Sequence, residues 1–227
     1  MDFTGWAIFL LAFGTGLLHA LDADHVMAVT GIATKKAGMR AIVNLCLKWS
    51  LGHGAVIFIF GAIIFIFGFT IPYELSHYAE KAVAILLIAI GSWVLRDLYL
   101  SRVHIHFHEH QGLTRHAHWH IDETKAHNQK LSDVHKHDHH AVMVGVLHGL
   151  AGLAPLLAIV PLANQPLWLA IIYLLIFCLG VFLSMLIFGG VLGKVVEGIQ
   201  GYSIFAINII RGMVGTASIT LGLAWLA

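Results

Sequence analysis

The sequence predicts an all-α, polytopic membrane protein of about six transmembrane helices, arranged as two inverted three-helix repeats. Three observations predict it. Of 227 residues, 59% are apolar and 11% charged, and mean hydropathy is +0.84, whereas soluble domains are about 25% charged. Six apolar windows are long enough to cross a bilayer, which takes about 20 residues. A short motif containing a buried histidine recurs in the second half of the chain. The formal charge of +1 offers no field for a nucleic-acid backbone. Cys46 and Cys178 sit inside apolar stretches, as core thiols rather than a disulfide framework.

The windows run roughly over 4–34, 41–69, 82–100, 141–162, 166–192 and 202–226. The first is too long for one straight span, and Gly14, Gly16 and Gly31 make a break easy. Its start, Met1-Asp2-Phe3, lacks the basic region of a signal peptide, so the segment is expected to stay in the mature protein. Lys and Arg outside the spans fall ten to one on the side of the first, third and fifth loops, with Lys81 alone opposite. Positive charge marks the cytoplasmic face. Both termini are therefore expected outside the cytoplasm, in a multi-pass protein of the cytoplasmic membrane, with the long third loop inside.

Self-similarity divides the chain further. Gly16-Leu17-Leu18-His19-Ala20-Leu21 echoes Gly145-Val146-Leu147-His148-Gly149-Leu150 at an offset of 129, and Leu51-Gly52 and Phe60-Gly61 recur as Leu179-Gly180 and Phe188-Gly189 at 128. The expected organisation is a first half over 1–100, a flexible His-rich loop over 101–140 and a second half over 141–227. Three spans per half force the halves to be inverted.

The chemistry concentrates in His19-Ala20-Leu21-Asp22-Ala23-Asp24-His25. An unpaired Asp at mid-membrane costs about 2.5–3.5 kcal/mol on insertion scales, so two need a compensating partner. Imidazole and carboxylate together suit borderline dications such as Ni, Co, Zn or Mn, while the lack of thiolate disfavours Cu(I). On a continuous helix His19, Asp22 and His25 share one band about 120° wide, and Asp24 lies outside it. If the helix breaks, Asp24 joins them. His53, mid-way along the second span, and His148, the echo of His19, complete the candidate metal set of His19, Asp22, Asp24, His25, His53 and His148. Capping of a helix end would explain only one or two of the four groups in the first span.

His19, four residues, then Asp24-His25 resembles the H-x4-D-H signature of nickel/cobalt transporters, commonly written H-A-x-D-A-D-H as it stands here. Ser50-Leu51-Gly52-His53 is similar to that family's S-L-G-H stretch. His148-Gly149-Leu150-Ala151-Gly152 and the His-rich loop resemble wider relatives that include nickel/cobalt efflux proteins. The resemblance covers roughly residues 14–54 and 145–156. It implies a transporter, not an enzyme, with Ni2+ or Co2+ as substrate and no cofactor. It further implies His19, Asp24 and His25 in metal selection, with His53 on the same path. The family usually has eight spans and an Arg before the first His, where this chain has Leu18. Direction stays open, and the cytosolic loop tilts it towards efflux.

Twelve of seventeen histidines lie between His104 and His140, a composition that binds Ni, Co, Zn or Cu. Arg211, about 15 Å into the last span, needs a carboxylate, for which Asp22 or Asp24 is the expected partner. The chain lacks Gly-x4-Gly-Lys-[Ser/Thr], so energy must come from a gradient or a partner chain. The alternative is a b-type haem protein for electron transfer, with His19, His25, His53 and His148 as axial ligands. A metalloprotease lacks support because His-Glu-x-x-His is missing.

Overall fold

A computed structural model describes residues 3–36, 38–68, 73–101, 106–108, 116–118, 138–151, 166–202 and 204–227. Among them are seven helices: α1 (Phe3–His19), α2 (Ala23–Ala33), α3 (Met39–Phe67), α4 (Tyr73–Ser101), α5 (Asp138–Ala151), α6 (Leu167–Tyr202) and α7 (Ile204–Leu226). Two three-residue strands, β1 (His106–His108) and β2 (His116–His118), pair antiparallel within the His-rich loop. The rest of that loop lies outside the described residues.

Among the described residues, four helices carry apolar stretches long enough to cross a membrane, over Met39–Phe67, His77–Leu100, Leu167–Ile199 and Phe205–Leu226. Leu, Ile and Phe cover their outer faces, as lipid requires and water would not tolerate. The chain is thus a polytopic all-α membrane protein. The overlong first window is a bent pair: α1 and α2 meet at 49°. Between them, Leu21 N–H bonds Leu18 O at 2.9 Å and Asp22 N–H bonds His19 O at 3.1 Å, a tightened turn that satisfies backbone groups freed by the break. The fourth window is described only as far as α5, which is shorter than a span. Helix α3 ends cleanly because Gly68, at φ 68°, takes the left-handed cap and donates to Ile64 O at 2.8 Å.

α1 packs on α6, α3 on both α5 and α6, and α4 on α7, while α2 lies against α4 and α7. One core of Ala12, Trp49, Ile57, Leu174, Val181 and Met185 joins α1, α3 and α6, and a second of Ala28, Val83, Leu87 and Val94 seats α2 on α4. Without a hydrophobic force between helices in lipid, close backbone approach at glycine supplies the packing. A Cβ on Gly16 would fall within 3.0 Å of Phe177 O, and one on Gly180 within 3.0 Å of Phe13 O. At the α3–α5 contact the same holds for Gly145 against Trp49 O and Gly52 against Val142 O. The two sets correspond residue for residue: the offset of 129 carries Phe13 and Gly16 to Val142 and Gly145, and 128 carries Trp49 and Gly52 to Phe177 and Gly180. The same 128 relates Gly61 against Leu174 to Gly189 against Cys46.

Candidate metal centre

The break between α1 and α2 creates the site. His19 closes α1, Asp22 precedes α2, and Asp24 and His25 occupy its first turn. The turn aims the His25 ring back at α1, where Nδ1–H donates to His19 O at 2.8 Å. His53 enters from α3 and His148 from α5, both with no exposed surface. Ring centroids stand 4.8 Å apart for His19–His25, 5.3 Å for His19–His53, 4.8 Å for His25–His53 and 5.5 Å for His25–His148.

Hydrogen bonding decides which nitrogens face inward. The Nδ1 of His25 meets a carbonyl, which can only accept, so that atom carries the proton and Nε2 of the neutral ring is bare. His148 repeats this arrangement through Nδ1–H to Val144 O at 2.9 Å, and its buried Nε2 has no hydrogen-bond partner. His19 donates Nδ1–H to Asp22 Oδ2 at 2.8 Å. Second partners of this kind, carboxylate or carbonyl, fix ring orientation at metal-binding histidines and raise ligand basicity. Three imidazoles are therefore held with lone pairs available.

Among the described residues, two groups have ligand atoms within 4.8 Å of one another: His19, His25 and His53, all buried, and Asp22, Asp24 and His25, of which Asp22 is exposed. Asp24 Oδ2 is 3.6 Å from His25 Nε2. The band expected on a continuous helix therefore gives way to the broken-helix arrangement. The break turns Asp22 outward, as the partner of His19, and turns Asp24 inward beside His25. Trp49 had no place in the sequence reading. It stacks on His53 at 4.7 Å and 11° and meets His25 edge-on at 4.9 Å, with Nε1 buried and unpartnered. Its place four residues before His53, on the same face of α3, was the available signal. Phe177 stacks on His19 in the same way, at 5.7 Å.

Two expectations change. Arg211 pairs with Asp97 of α4 rather than Asp22 or Asp24, and Lys35 shares that carboxylate at 3.4 Å while lying over the Trp93 ring. The ion triad thus ties the end of α2 to α4 and α7, away from the histidines. The haem alternative also finds no support, because the imidazoles touch: His19 Nε2 and His53 Nε2 are 3.3 Å apart, with no slot between them for a macrocycle.

Comparison with known proteins bears on the cargo. The chain is 29% identical over 189 residues to the "Urease accessory protein UreH" of Bacillus sp. (strain TB-90), covering 82% of this chain and 76% of the relative. No solved structure matches. Residues 5–199 match the family described as "NicO: High-affinity nickel-transport protein". That match includes nearly all of α1 and α6 and the whole of α2 to α5, with every residue of the cluster. The chain therefore belongs to the NicO family of nickel transporters, and its expected standing as a membrane transporter rather than an enzyme holds.

Proposed function

We propose that the protein carries Ni2+, and Co2+ with it, across the cytoplasmic membrane through the cluster between α1, α2, α3 and α5. His19, His25, His53 and Asp24 hold the ion, Asp22 orients His19, and His148 supplies a fourth imidazole from the second half. The observation that carries this reading is the approach of the His19, His25 and His53 ligand atoms to within 4.8 Å of one another, with Nδ1 of His19 and His25 committed to a carboxylate and a carbonyl oxygen. A dication bound there offsets the cost of carboxylates at membrane depth. The recurring glycine contacts support two inverted halves, over 1–100 and 141–227, that rock about the site to alternate access. Both termini lie outside the cytoplasm and the His-rich loop inside, where it gathers or buffers metal.

The family's description as high-affinity favours import from a dilute supply, against the efflux that the loop suggests. Metal content of cells expressing the wild type, His19→Ala, Asp24→Ala or a deletion of 104–140 tests the reading. Wild type should raise cellular nickel and both site variants should abolish the increase. A wild type that lowers nickel would reverse the direction. Unchanged nickel and cobalt in every strain would overturn the assignment.

A further inference from the structure

The ligand atoms of the cluster fall into two overlapping groups that are sorted by chemistry. The exposed group is oxygen-rich and the buried group is all imidazole. Side-chain exposure falls from 53% at Asp22 to 10% at Asp24 and 1% at His25, and His53 has none. His25 belongs to both groups. Its Nδ1 is committed to His19 O, so a single Nε2 lone pair serves either side.

We infer that these are two successive stations: an exposed one of Asp22, Asp24 and His25 receives the ion, and His25 Nε2 hands it to a buried one of His19, His25 and His53. The inference rests on the metal-carrying reading above. One lone pair binds one ion, so the stations are occupied in turn. Carboxylates accept a cation that still holds several waters, whereas a shell of imidazoles demands that they be shed and favours Ni2+ and Co2+ over harder ions. Discrimination therefore falls at the buried station. An ion suited to carboxylate and water, such as Mn2+, stops at the exposed one and blocks it without being carried.

Initial rates of 63Ni flux in cells expressing the full chain, normalised to protein in the membrane, test this with Mn2+ as competitor. For the wild type, Mn2+ should raise the apparent KM for nickel and leave the maximal rate unchanged. Asp22→Asn should raise KM about fivefold or more, keep the maximal rate within about twofold and lose the inhibition by Mn2+. His53→Gln should lower the maximal rate about tenfold or more. The amide oxygen of Asn still accepts from His19 Nδ1–H, so a purely orienting Asp22 predicts wild-type behaviour for Asp22→Asn and a defect only for Asp22→Ala. That result would overturn the two-station scheme and leave the metal-carrying reading standing. Asp22→Ser serves as a second charge-removing variant should Asn impair insertion. Full flux in Asp24→Ala, His25→Ala and His53→Gln together would defeat both.

Discussion

His19 Nε2 and His53 Nε2 lie 3.3 Å apart across 34 residues of chain, closer than two bare lone pairs allow. The Asp22 carboxylate fixes the proton of His19 on Nδ1, so in the metal-free state His53 must supply the N–H between them. A cation can enter only if His53 gives up that tautomer or turns its ring. In His53→Gln, an amide N–H can replace the imidazole donor, so the helices should assemble normally while the lone pair is gone. Flux should then fall about tenfold or more with membrane protein unchanged, as read by metal accumulation beside an immunoblot.

Trp49 lies flat against His53 and edge-on to His25, within reach of any ion the cluster holds. Paramagnetic Ni2+ should quench it. The chain has six tryptophans, so the assignment comes from a difference: the saturable part of the quench in purified wild type should be lost in Trp49→Phe. An unchanged quench in that variant would place the ion elsewhere.

The glycine contacts give a test of duplication. Gly16→Ala and Gly145→Ala each drive a methyl into a carbonyl oxygen of the facing helix, Phe177 and Trp49 respectively. Overpacking of this kind costs about 1–3 kcal/mol. Both should lower the melting temperature in detergent by similar amounts, while Gly14→Ala, with nothing within 4 Å, should not.

Asp97 is the shared carboxylate partner of two cations whose side chains are only 13% and 14% exposed, Lys35 and Arg211. Asp97→Ala leaves both unpaired, which for a half-exposed carboxylate should cost about 1–2 kcal/mol, below the 3–5 of a fully buried pair. Adding Arg211→Leu should restore part of the loss, a coupling that a double-mutant cycle of melting temperatures would measure.

Deleting 104–140 should alter the nickel concentration at which flux half-saturates while leaving the maximal rate. If the loop buffers metal as proposed, loss of its twelve histidines changes the supply of the ion, whereas the histidines of the four-helix cluster lie outside the deleted segment. Concentration dependence of accumulation in the two strains would separate the effects.

The sequence made the membrane fold and the local His/Asp cluster legible for different reasons. Long apolar windows are a statement about solvent, independent of how helices meet, and four of the six correspond to single helices long enough to cross a membrane. His19, Asp24 and His25 stood out because charge and imidazole are costly in such a window. The geometry was less accessible: 100° per residue fails where Leu18 to Asp22 tightens into a turn, so Asp22 and Asp24 exchange places. Arg211 needed a carboxylate, but composition could not tell Asp97 from Asp22, because the choice depends on α4 packing against α7. Trp49 carried only its spacing from His53 as a signal, and an aromatic at helical spacing in an apolar run reads as core.

The carbonyl of His19 accepts twice, from the Asp22 amide and from the ring of His25. Orientation of the His25 ring and the bend of the chain are thus a single event, because the imidazole is aimed only once the backbone has turned. If the cluster holds nickel as proposed, ion present during biogenesis will favour chains that have made this corner. Amides of 19–26 should exchange with deuterated solvent more slowly when the ion is supplied, making the cargo a fastener for the bend that recognises it.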